Sequence, residues 1–77
     1  MTREELSKIP FKMACHLNMA HEHCTTYEAQ DASLDLIVCV HQPYRNGHPE
    51  GKSHKHYKWN GMVYESVDEL LEAMNGL

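Results

Sequence analysis

Among 77 residues there is one tryptophan, one phenylalanine and only three cysteines, and no apolar run is longer than Leu36–Val40. A run that short cannot cross a bilayer, which takes about 20 apolar residues, and the opening Met1-Thr2-Arg3-Glu4-Glu5 starts no secretory signal. An odd number of cysteines without such a signal argues against a disulfide framework and for a reducing, cytoplasmic setting. There is no Cys-x-x-Cys pair, and Gly51-Lys52-Ser53 lacks the upstream glycine that a phosphate loop needs. No residue is singled out as catalytic, and no cofactor is expected. What is present is 42% apolar and 23% charged, the balance of one small globular domain spanning residues 1–77. Its core must be thin, because a chain of this length buries only about 60% of its unfolded surface.

Seven histidines make the net charge of −4 fragile, since protonating all of them would bring it to +3. Imidazoles titrate near pH ~6.5, so the chain crosses neutrality in mildly acidic solution. The charge is also segregated. Residues 41–61 carry Arg45, Lys52, Lys55 and Lys58 against Glu50 alone, together with His41, His48, His54 and His56. Acidic stretches flank this basic middle on both sides.

The C-terminal third is the most legible. Asn60-Gly61 between Trp59 and Met62 predicts a two-residue hairpin turn, because both central residues accept positive φ. Pairing across it sets Tyr57 against Tyr64, Lys58 against Val63 and His56 against Glu65. Alternation then gives a buried face of Tyr57, Trp59, Met62 and Tyr64 and an outer face of His54, His56 and Lys58. Ser66-Val67-Asp68-Glu69 reads as a capping box opening a helix, with Val67, Leu70, Leu71 and Met74 at helical spacing and Asn75-Gly76 to close it.

Upstream, Leu34–His41 predicts a strand covered on both faces. Gln42–Lys52 predicts a long polar loop punctuated by two prolines and two glycines. Thr2–Glu5 is a second capping box for a short helix that Pro10 stops. From Phe11 to Met19 the odd positions are all apolar, which favours a strand, although Met13, Leu17, Ala20 and Cys24 also fit a helical stripe. Thr25–Ser33 is then the connection, with a helical turn at 27–32. The fold class expected is α+β: a small antiparallel sheet of three to four strands, the C-terminal helix packed on one face, and a short N-terminal helix.

Three chemistries fit the side chains. As a binding surface, the segment 42–58 offers Tyr44, Arg45, Lys52, His54, Lys55, His56 and Lys58, mixing exposed cations with an aromatic. The expected function is a non-catalytic accessory module whose partner is another protein, with self-association through a sheet edge as a further possibility. The same cations and aromatics suit single-stranded nucleic acid, but the acidic whole and the assignment of Tyr57 and Trp59 to the core weigh against it. As a zinc-stabilised mini-domain, the chain offers His21, His23, Cys24, Cys39 and His41. Cys39-x-His41, His21-x-His23 and His54-x-His56 each place two donors on one face of a strand, about 7 Å apart.

Overall fold

A computed structural model describes residues 1–76. The chain runs α1 (Arg3–Ser7), β1 (Phe11–Asn18), β2 (Glu22–Ala29), a 3-10 turn (Ala32–Leu34), β3 (Leu36–Arg45), β4 (His48–Pro49), β5 (His54–Trp59), β6 (Met62–Tyr64) and α2 (Val67–Met74). The molecule is mostly β, and the expected α+β fold with three to four strands is corrected to an antiparallel sheet of six. Its order is β1-β2-β3-β5-β6, with β4 paired to the end of β3.

Two strands escaped the sequence reading for identifiable reasons. The expected loop at 42–52 is largely strand, because β3 continues to Arg45 and turns back through Asn46-Gly47. Asn46 and Gly47 have φ of 52° and 79°, the same turn chemistry as Asn60 and Gly61 at 50° and 82°. The expected helical turn at 27–32 is instead the end of β2, followed by a 3-10 turn whose cap is Asp31, accepting from the Ser33 amide. The strand expectation for 11–19 holds over Phe11–Asn18, but a bulge between Met13 and Cys15 breaks its alternation. Phe11 and Met13 pair with Ala29 and Tyr27, whereas Cys15 and Leu17 pair with Thr26 and Cys24. The first two therefore lie on one face of the sheet and the last two on the other.

The Trp59–Met62 hairpin forms in the expected register, with Tyr57 opposite Tyr64 and Lys58 opposite Val63. β6 ends at Tyr64, so the expected His56–Glu65 pair lies outside the ladder. Thr2 and Glu5 make a complete capping box. At α2, Ser66 accepts from the Glu69 amide, while the Glu69 carboxylate accepts from the Glu65 amide, one residue earlier than a capping box requires.

The core is as thin as the length requires: Ala29, Leu36, Tyr57 and Leu70 are buried, and Leu6, Ile9, Phe11, Leu34, Val38, Trp59, Tyr64, Val67 and Met74 pack around them. All the strand residues in this group come from one face, the helix face. None of the core comes from the other, which is open. The two helices are short beside a molecule 43 × 22 × 22 Å, so they cover only part of even the helix face.

A histidine and carboxylate cluster on the open sheet face

The open face follows from strand register. His41 lies opposite Cys24 on β2 and opposite His54 on β5. Cys39 lies opposite Thr26 and His56. Side chains two residues apart share a face, so Glu22, Cys24, Cys39, His41, His54 and His56 all rise from one side of three adjacent strands. Cys15 joins them only because of the bulge.

His41 is the centre of this group. Its Nδ1 lies 3.3 Å from Glu22 Oε1, and its Nε2 lies 3.2 Å from His56 Nδ1. Its ring lies nearly parallel to those of His54 and His56, with centroids 5.0 Å and 4.9 Å away. One ligand atom each from Glu22, His41 and His54 can be chosen so that all lie within 4.8 Å of one another. The His41 side chain is 19% exposed and Glu22 36%, and His54 is exposed, which leaves the group open to solvent on the His54 side.

The thiols beside it are quieter. Burial pushes the Cys24 thiol above its ordinary pKa, and the neighbouring Cys39, Glu22 and Cys15 push the same way, so Cys24 rests as a neutral thiol. Thr26 Oγ1 and Cys39 Sγ are 3.9 Å apart, a weak contact of the kind sulfur makes. All three cysteines are free.

Of the metal ligands expected from sequence, the structure gathers Cys24, Cys39 and His41 and separates the other two. His23 pairs with Gln42 and Asn18 on the helix face, where its ring stacks on Tyr44 at 3.6 Å. His21 precedes β2 and is exposed. The phase of β2 is set by its pairing with β3, and this puts Glu22, not His21 or His23, beside His41. Glu22 was absent from the expected ligands, and His54 was named only as a donor pair with His56, apart from the set of five. The signal for them is the His-x-His on β5 combined with a carboxylate two residues before Cys24 on the neighbouring strand.

The segment 42–58 does not form one patch. Tyr44 lies against His23, and Arg45 pairs with Glu50 at 3.4 Å. Lys52 is exposed between β4 and β5. Lys55 faces the helix side opposite Val40, while His54, His56 and Lys58 face the open side. Among the described residues no helix is long and apolar enough to cross a membrane. Comparison with protein-family models, curated proteins and solved structures yields no match to this chain.

Proposed function

We propose that this chain is a small non-catalytic binding module that holds one divalent transition-metal ion of the zinc class on the open face of its sheet. The observation that carries the reading is the convergence of Glu22, His41 and His54 from three adjacent strands. Carboxylate and imidazole are the donors that borderline ions such as zinc accept. Donors around a four-coordinate zinc stand about 3.4 Å apart, and the separation between His41 Nδ1 and Glu22 Oε1 is already 3.3 Å. In this assignment His41 binds through Nδ1 and donates its Nε2–H to His56 Nδ1. That contact fixes tautomer and ring orientation, as partners of ligating histidines commonly do.

The fourth position would be left to water or to a donor from a partner. A partner protein seated there keeps the accessory role expected from sequence while moving it from residues 42–58 to the open face. The cluster lies outside the two concavities described on the surface, which supports binding over catalysis, since reaction sites are generally concave. Three free cysteines fit a reducing, cytoplasmic location.

Zinc titration by calorimetry, repeated with cobalt(II) followed by absorption, tests this. One ion should bind per chain, with a cobalt spectrum free of thiolate charge-transfer bands. Glu22→Gln and His54→Ala should each weaken binding more than 100-fold, and His56→Ala by about 10–100-fold, the usual cost of losing an orienting partner. His23→Ala, on the other face, should change nothing. Unaltered affinity in Glu22→Gln and His54→Ala would reject the assignment, and so would strong thiolate bands, which would place the ion on the cysteines.

A further inference from the structure

The helix face holds a concavity, independent of the metal cluster. A cleft of about 660 Å³ opens between α1, the first turn of α2 and the sheet, within the range of small-molecule sites. Leu6, Ile9, Phe11, Val38 and Tyr27 give it apolar walls, and Tyr57 contributes to its lining. It exists because α1 is a five-residue helix that reaches the core only through Leu6, with Ile9 following just after it, too short to cover the whole helix face.

Two cations line this apolar cleft, and they are not equivalent. Arg3 is paired with Asp68 at 2.5 Å, so its charge is answered within the fold. Lys55 has no ion pair among the described residues. It projects from β5 beside Val40 and on the same face as Tyr57. Tyr57 is buried, and among the described residues its hydroxyl makes no hydrogen bond. An unanswered ammonium and a free phenolic hydroxyl thus adjoin an apolar trough. This chemistry suits an alkyl chain ending in an anion that accepts hydrogen bonds.

We propose that the cleft binds an amphiphilic carboxylate of the medium-chain fatty-acid class. The alkyl tail lies along Leu6, Ile9, Phe11 and Val38. The carboxylate accepts from Lys55 Nζ and the Tyr57 hydroxyl. Charge selects the ligand: a cationic amphiphile with the same tail would set its head against Lys55 and Arg3. The site shares no residue with Glu22, His41 and His54, so it stands or falls apart from the metal reading.

The test uses decanoate, octanoate, decanol and decyltrimethylammonium as probes on the full chain, with binding read by calorimetry below their micelle-forming concentrations. Decanoate should bind with one-to-one stoichiometry. Each methylene between octanoate and decanoate should tighten binding about fourfold, the worth of a fully buried CH₂. Decyltrimethylammonium should bind at least tenfold more weakly than decanoate. Lys55→Gln, an exposed position whose change leaves the core intact, should erase the preference for decanoate over decanol. Tyr57→Phe should weaken decanoate severalfold and leave decanol unaffected. Equal binding of the anionic and cationic amphiphiles would overturn the proposal, as would a Lys55→Gln variant that keeps its preference. A failure of every probe to bind would overturn it too.

Discussion

His41 is positioned more by its neighbours than by its own strand. Both of its ring nitrogens have partners, and its ring lies nearly parallel to those of His54 and His56. This explains why part of the candidate site could be read from sequence and part could not. Period two within β3 and β5 is enough to place Cys39 with His41 and His54 with His56. No local pattern says which parity of β2 meets β3, and a slip of one residue exchanges Glu22 for His23. A residue-scale prediction concerns the turns. Gly61 sits at φ 82° with open space where a Cβ would go, so Gly61→Ala meets no clash and pays only for a left-handed backbone. The expected loss is about 1–2 kcal/mol, read from the shift in a urea midpoint, with β5–β6 pairing retained. A neutral result would mean that the turn relaxes to another type and that the Asn60-Gly61 signal is dispensable.

At the scale of elements, α2 is held by one residue above all. Leu70 is fully buried and Leu71 only half-buried, although the two look alike at helical spacing. Leu70→Ala should cost about 2–4 kcal/mol and Leu71→Ala clearly less. Ser66→Ala should cost about 1 kcal/mol through the lost cap. Equal effects at the two leucines in chemical denaturation would contradict the packing of α2. Acid should act on the caps of the other two helical segments. Hydrogen bonds from the Thr2 backbone and side chain hold the Glu5 carboxyl below its ordinary value, and those from Ser33 do the same for Asp31. Folding therefore favours the charged forms, so their contribution is complete above the ordinary carboxylate range and disappears as pH falls through the lowered values. Asp31→Asn keeps a capping oxygen that does not titrate, and its stability should decline less steeply in acid than that of the wild type. Parallel curves would show that the Asp31 cap is not coupled to folding. The elements themselves were legible where a local device flanked by apolar residues specifies them: the Asn60-Gly61 turn, the Thr and Ser caps, and the apolar run of β3. The bulge at Met13/Cys15 was not, because uninterrupted apolar alternation continues through it, and only pairing with Tyr27 and Thr26 shows that the strand changes face.

For the whole molecule, the decisive asymmetry is between the two sheet edges. One edge is β6, three residues long and followed at once by α2. The other is β1, eight residues long and without a strand beyond it among the described residues. Long exposed edges offer a row of unpaired amides to another strand, and proteins blunt them with bulges, lysines or prolines. Here Lys12 and the bulge protect the first half of β1, whereas Cys15-His16-Leu17-Asn18 carries no formal charge with histidine neutral and exposes Leu17 at 52%. We expect this half-edge to pair two copies of the chain at high concentration, which native mass spectrometry across a dilution series would record as a growing dimer. The backbone direction supplies a clean variant. The Met19 amide donates inward to the Glu22 carbonyl at 2.9 Å, so by alternation Leu17 also turns its amide toward β2, and Asn18 turns its own outward. Asn18→Pro removes only an outward donor, which a proline on an edge strand can lack without breaking the ladder behind it. It should abolish the dimer while leaving zinc affinity unchanged, because the Glu22, His41 and His54 donors lie on β2, β3 and β5. A dimer that survives Asn18→Pro would reject the β1 edge as its interface.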